Sequence, residues 1–233
     1  MSKHFWNSVS MCLNSLFDDE TNTKKMFYDA CESGNVELVD TILLLFDFMN
    51  SVSYKIGMLC SSRHGHVAVV DRLIQDNMIE PSALNFSRAF ECAIENDHVE
   101  VVYRLLKDDI RINPSQNNDA IRMVCENGNV EILNRLLQDP RVDPSAGRNI
   151  AIRSASGYGN IAIVDILLQD PRVDPTDISI NDALDAACRN GHIDIVDLLL
   201  KTGKVDPHRN NNYSFTIARL FSRFDITNRM LQK

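Results

Sequence analysis

Apolar and polar positions alternate along this chain with a helical period, and the pattern restarts about every 31 residues. Each block ends in Gly-Asn/His-x-x-(Ile/Val)-(Val/Leu)-x-x-Leu-Leu and runs into an Asp-Pro-rich loop. The marker glycines are Gly34, Gly65, Gly128, Gly159 and Gly191, and Asp97 takes the same slot in the third block. Successive markers are 31, 32, 31, 31 and 32 residues apart. Self-similarity at this period means stacked supersecondary units that share one continuous core.

The fourth block shows what one unit contains. Ile121, Val124 and Cys125 recur at helical spacing, and Asn118 or Asp119 is placed to cap the helix start. Gly128 ends this short helix, because a residue without Cβ takes the left-handed conformation at little cost. Val130, Leu133, Leu136 and Leu137 then line one face of a second helix, which Pro140 stops. Each unit therefore reads helix, tight turn, helix, loop. All seven prolines fall between blocks, which supports the register. One such pair cannot bury its own apolar face, so neighbours must supply the burial.

The stretch Ala187-Cys188-Arg189-Asn190-Gly191-His192-Ile193-Asp194-Ile195-Val196-Asp197-Leu198-Leu199-Leu200 resembles the ankyrin repeat family's Ala-Ala-x-x-Gly-His-x-x-Val-Val-x-x-Leu-Leu-Leu. The family's Thr-Pro-Leu-His helix start is missing throughout. Asp119-Ala120-Ile121-Arg122, Ile150-Ala151-Ile152-Arg153 and Asp182-Ala183-Leu184-Asp185 stand in its place, with an Asp cap as the expected substitute. The loops Asp139-Pro140-Arg141-Val142-Asp143-Pro144 and Asp170-Pro171-Arg172-Val173-Asp174-Pro175 are similar to a variant found in large DNA viruses of protists and in some amoebae. The resemblance implies an all-α solenoid of stacked helix-turn-helix units joined by short hairpin-like loops. Residues 25–210 divide into six repeats (25–53, 54–84, 85–116, 117–147, 148–179 and 180–210). Residues 1–24 are expected as an N-terminal capping helix and 211–233 as a degenerate C-terminal capping repeat. In that last segment Ile226, Met230 and Leu231 are expected inward, with Arg223, Arg229 and Lys233 outward.

Composition narrows the function classes. Of the 233 residues, 44% are hydrophobic and 24% charged, as in globular proteins, and the net charge is −8. An acidic chain lacks the basic face that a nucleic acid or an anionic membrane requires, so neither is expected as a partner. No apolar run approaches a membrane span, and the first residues lack the apolar stretch of a secretory signal. The expected location is therefore intracellular and cytoplasmic, in the host cytoplasm if the source is viral.

The chemically suggestive residues are absorbed by the repeat. Cys31, Cys125 and Cys188 each precede the marker by three residues, and Cys60 and Cys92 by five. These are small core slots, and no Cys-x-x-Cys pair offers a metal site. His66, His98 and His192 all follow the marker, and Asp143, Asp174 and Asp206 all precede a proline. No phosphate loop, nucleophile elbow or His-Glu-x-x-His occurs. No catalytic, cofactor-binding or metal-binding residue is expected.

In the ankyrin family, partners bind the concave face of first helices, at the residues just before the glycine, and the finger loops. Carried onto this chain, that implies Arg63, His64, Glu95, Asn96, Glu126, Asn127, Arg148, Tyr158, Arg189 and Asn190 as protein-binding residues. These slots vary from copy to copy while the core slots do not. Tyr158 is expected beside Arg189 and near Arg148, and both residue types are common binding hot spots. The function so implied is a monomeric, non-enzymatic scaffold for another protein. The alternative is an adaptor or substrate receptor for a ubiquitin ligase or other host machinery, with a terminal segment as second docking site.

Overall fold

The computed structural model describes residues 20–45, 51–75, 83–107, 118–174, 179–203 and 205–231. Residues 1–19 of the N-terminal segment expected as a capping helix lie outside them. Fourteen helices and no strand occur among the described residues. They come in pairs: α1 (Glu20–Ser33) with α2 (Val36–Leu45), α3 (Ser51–Arg63) with α4 (Val67–Gln75), and α5 (Ala83–Glu95) with α6 (Val99–Leu106). Then follow α7 (Asp119–Asn127) with α8 (Val130–Gln138), α9 (Ala146–Tyr158) with α10 (Ile161–Gln169), α11 (Ile180–Asn190) with α12 (Ile193–Lys201), and α13 (Arg209–Leu220) with α14 (Phe224–Leu231). The chain forms two compact units, Met1–Ile112 and Asn113–Lys233.

Within each unit first helices pack on first helices and second on second. In the first unit α1, α3 and α5 form one row and α2, α4 and α6 the other. In the second, α7, α9, α11 and α13 stack beside α8, α10, α12 and α14. First helices reach further back than the glycine spacing implied. The boundaries expected at 53/54, 84/85, 147/148 and 210/211 fall inside the first turns of α3, α5, α9 and α13, and α1 already starts at Glu20.

The core follows the pattern. Ile132, Leu133 and Leu136 of α8 are fully buried, as are Ile163, Val164 and Leu167 of α10. Each buried side chain of this size contributes roughly 1.5–3 kcal/mol. Leu137 is only half-buried, because its slot turns toward the loop edge. Cys31, Cys92, Cys125 and Cys188 are buried as expected, whereas Cys60 is only partly so. Burial, aided by the nearby Asp185 carboxylate, pushes the Cys188 thiol up to about 12. A thiol held protonated is a poor nucleophile.

One joint recurs at six of the turns between paired helices. In the third pair of the second unit, Gly191 ends α11 with φ +90, and the next residue's N–H closes on the carbonyl five back (His192 to Ala187, 3.0 Å). The matching bond runs from Asn35 to Ala30 (2.9 Å) and from Arg223 to Ala218 (2.7 Å). The residue after the marker also reaches the preceding unit of the stack. His192 Nε2–H donates to the Gly157 carbonyl (3.1 Å), and its ring covers Gly159, where a Cβ would lie 2.7 Å from Cε1. His66 donates to Glu32 O (2.8 Å), His98 to Arg63 O (2.7 Å), and the Asn160 amide to Cys125 O (2.8 Å) and Glu126 O (2.9 Å). The marker is glycine for two reasons at once: its positive φ and the side chain lying on it.

The last helix pair obeys the same grammar. Ser222 takes the marker slot at φ +57, and Arg223, expected to point outward, lies over Gly191 as His192 lies over Gly159. Arg229 pairs with Asp197 on α12 (3.4 Å), as Arg72 pairs with Asp40 and Arg104 with Asp71. Ile226 and Met230 are buried, but Leu231 is 70% exposed, since no further pair covers it among the described residues.

The Asp-Pro loops turn without strands. Asp139 Oδ1 accepts from Arg141 N (2.9 Å) and its carboxylate grips the Arg141 guanidinium (2.6 Å). Asp143 Oδ1 accepts from Ser145 N (2.9 Å) and Oγ (2.7 Å). Val142 and Val173 plug the core beneath, and Arg172 donates to Val142 O (3.0 Å) of the loop before and to Leu137 O (3.1 Å) in the last turn of α8. The expected Asp cap at the helix starts is not what forms. Neither Asn118 before α7 nor Ser179 before α11 makes a side-chain cap bond, and Asp119 pairs with Arg122 (3.1 Å) instead. Before α9 and α13 it is the Asp ahead of proline that does that work, Asp143 accepting from Ser145 N and Asp206 from His208 N.

Candidate protein-interaction face

In the first unit, the residues before the marker are largely engaged by their own fold. The Arg63 carbonyl accepts from His98. His64 Nδ1–H donates to Cys60 O (2.9 Å), its Nε2 lies 3.8 Å from Glu32, and its ring stacks on His66 at 6.3 Å. Glu95 pairs with Arg88 (3.2 Å), and the Asn96 amide donates back to Cys92 O (2.8 Å).

The second unit differs. Three first helices, α9, α11 and α13, enclose a cleft of about 460 Å³. Arg153, Ser154, Gly157 and Tyr158 line it from α9, Asp182, Asp185, Ala186, Arg189 and Asn190 from α11, and Tyr213 from α13. Tyr158 is 63% exposed, too much for a side chain recruited to the core. Tyr158, Arg189 and Asn190 are therefore brought together as expected. Arg148 does not line the cleft but reaches its floor through Asp182 (3.6 Å). It belongs to a left-handed turn, Gly147-Arg148-Asn149, that aims it outward, while Asn149 donates to Ser179 Oγ (2.8 Å) beneath. Glu126 is held by Arg122 (2.8 Å), and Glu126 and Asn127 lie one helix before the cleft.

The charges in the cleft are unevenly satisfied. Asp185 accepts from Ser214 Oγ (2.6 Å). Its desolvation raises its pKa, against the bond from Ser214 and the pull of Arg189 and Arg209. Arg189 lies 5.9 Å over the Phe221 ring, and the Asn190 amide donates to the Gly157 carbonyl (2.6 Å). Arg153 makes no hydrogen bond or ion pair to any described residue.

Sequence reading missed Arg153, Tyr213 and the pair Leu220-Phe221. The last two fill the slots just before Ser222, equivalent to Gly157-Tyr158 and Arg189-Asn190, and are 75% and 46% exposed. Counting the register one period past Gly191 finds them. Arg153 and Tyr213 lie one to two turns further up their helices, outside the slots that the family pattern singles out.

Among the described residues no group of three or more His, Cys, Asp or Glu side chains could hold a metal ion, and no helix is long and apolar enough to cross a membrane. No protein with a curated description matches the chain. Two family models do. The one described as "Ankyrin repeats (3 copies)" matches residues 121–211, and the one described as "LRRK2 ANK repeat" matches residues 1–110. The gap between the two matches contains the division between the two compact units. Paired helices, the glycine joint and both matches agree on an all-α solenoid of ankyrin repeats.

Proposed function

We propose that this protein is a non-enzymatic interaction scaffold whose partner is another protein, docked on the first-helix face of the second unit. Ankyrin repeats are in general protein–protein interaction modules. The observation that carries the reading is the cleft, where Tyr158, Arg189 and Asn190 converge with Arg153 and Tyr213. Tyr and Arg dominate binding energies because they bury large area with few rotatable bonds, or form several directed hydrogen bonds. In this reading the chain acts as a monomer inside the cell, and neither nucleic acid nor membrane is its partner. Glu126, Asn127 and Arg148 belong to the rim, and Arg63, His64, Glu95 and Asn96 contribute mainly to the first unit's own joints.

The test compares partner capture by the intact protein and by a Tyr158→Ala, Arg148→Ala, Arg189→Ala variant, after circular dichroism shows equal helicity. Loss of a captured protein by the variant alone supports the face. A partner retained by the variant but lost on removal of a terminal segment overturns it in favour of the adaptor reading.

A further inference from the structure

We propose that the segment this face recognises is extended and carries an acidic side chain about three residues from a large apolar one. The proposal rests on the reading that the second unit's first-helix face is the docking face.

Three observations converge. First, the negative groups of the cleft are engaged while the positive ones are not. Asp182 faces Arg148 at 3.6 Å and Asp185 accepts from Ser214 at 2.6 Å. Arg153 has no polar partner among the described residues, and Arg189, which acts on Asp185 through its charge, makes no hydrogen bond or ion pair among them and lies over the Phe221 ring. Both carboxylates of the cleft are thus satisfied within the fold, Asp182 by Arg148 and Asp185 by Ser214, while the guanidinium donors of Arg153 and Arg189 stay open. A guanidinium with free donors is best matched by a carboxylate, which takes two parallel hydrogen bonds.

Second, the next slot along the row is apolar. Leu220 and Phe221 occupy the positions that hold Arg189-Asn190 one repeat earlier, and both are exposed. An exposed leucine and phenylalanine side by side, next to a polar cleft, form a ledge for an apolar side chain. Arg189 over Phe221 ties ledge to cleft.

Third, the spacing fixes the ligand's register. Neighbouring packed helices lie roughly 8–10 Å apart, and an extended chain advances about 3.3 Å per residue. Arg189 on α11 and the ledge on α13 are one helix apart, so about three residues of extended peptide separate the groups they take. Tyr158 and Tyr213 both line the cleft, whose volume of about 460 Å³ fits a segment of chain and not a compact domain. The Asn190 amide is committed to Gly157, and its oxygen is left to accept a backbone N–H from such a chain.

The experiment is selection of a displayed random dodecapeptide library on the full-length protein, followed by binding of the synthesised consensus peptide. The expected consensus pairs Asp or Glu with Leu, Ile, Met or Phe at a spacing of two to four residues. Arg153→Glu with Arg189→Glu is expected to weaken the peptide at least tenfold, and reselection on that variant to replace the acid by Lys or Arg. Arg153→Gln with Arg189→Gln, a milder change, gives the same direction with the fold checked by circular dichroism. Phe221→Ser is expected to weaken binding severalfold and erase only the apolar preference. A consensus without an acid, an arginine variant that binds as the parent does, or no enrichment at all overturns the proposal. Peptides of other composition that Tyr158→Ala abolishes overturn this chemistry and leave the docking face standing. Peptides indifferent to every substitution on the face remove both.

Discussion

The two units use the same repeat to different ends. In the first, the slots before the marker are exposed but mostly tied within the fold: Asn96 bonds its own helix, Glu95 pairs with Arg88, and His64 is caught between Cys60 O and Glu32, while the exposed Arg63 side chain makes no such bond among the described residues. In the second, equivalent slots carry Tyr158, Arg189, Leu220 and Phe221, all exposed, around a cleft with an arginine that has no described partner. A repeat fixes where a side chain can project, and its identity decides whether the slot stabilises the stack or remains for a partner. Burial accounts for the core of both units, but only the second leaves large apolar area at a polar cleft, and that is the mark of a binding surface.

Substitutions at glycine separate the joint shared by both units from features of one. Gly159→Ala is expected to have the largest effect, a loss of about 3 kcal/mol in urea unfolding. An alanine at φ +85 costs on the order of 1–2 kcal/mol, and its Cβ would lie 2.7 Å from the His192 ring, displacing it from the Gly157 carbonyl. Gly65→Ala, under His98 in the first unit, is expected to match it. An unfolding midpoint unchanged by either would show that the ring is not part of the joint. Gly57→Ala, inside α3, is expected to cost about 2 kcal/mol for another reason. Its φ is ordinary, but a Cβ would lie 2.8 Å from the buried Phe27 ring, which has nowhere to go.

The loops of the second unit can be broken without touching a glycine. Val173→Ala is expected to cost about 2 kcal/mol, from two methyl groups withdrawn from a site 2% exposed and the cavity left behind. A smaller loss, about 1 kcal/mol, is expected for Arg172→Ala, which removes the grip on Asp170 (2.7 Å) and the donors to Val142 O and Leu137 O. That loss carries a pH signature. Arg172 holds the Asp170 carboxyl below the usual carboxylate range. A folded pKa below the unfolded one gives stability that is whole above about pH 4 and disappears as pH falls through the folded value. The gap between parent and variant is therefore expected to narrow in unfolding experiments from pH 5 down to pH 3. A constant gap would assign the arginine's contribution to its carbonyl contacts alone.

Much of this was legible in the sequence because it rests on positions relative to one marker. Gly128 at φ +86, the buried Cys125 and Cys188, and the buried rows of α8 and α10 all follow from a period and a hydrophobic face. So does the meeting of Tyr158, Arg189 and Asn190. What could not be read depends on partners across the stack. Asp119 has the chemistry of a cap, yet Arg122 one turn away competes for it, and at α9 and α13 the work falls to Asp143 and Asp206, outside the helix. Arg223 has the look of a surface cation, yet it covers Gly191 because the slot before it, Ser222, keeps the left-handed turn without glycine. Arg153 and Tyr213 join the cleft only because α9, α11 and α13 lie side by side, a fact of packing that no single block contains.

The smallest effect concerns Gly157, in the last turn of α9 and on the wall of the cleft. Gly157→Ala is expected to stabilise the protein by a few tenths to about 1 kcal/mol, the ordinary gain of alanine over glycine within a helix. Its φ is helical, and an added Cβ would meet only Asn190 Nδ2 at 3.6 Å and Ala186 Cβ at 3.7 Å, normal contacts. Nothing in the stack then asks for glycine here, in contrast to Gly57, where the same change is expected to do harm. The cleft does ask for it, since Gly157 lines the space between Tyr158 and Asn190 that a peptide backbone would enter. A variant more stable than the parent by urea unfolding, yet weaker in capturing the partner, would separate fold from function at one position. A variant less stable than the parent would instead show that the contacts with Asn190 and Ala186 are tighter than 3.6 Å allows, and Gly157 would belong with the joints.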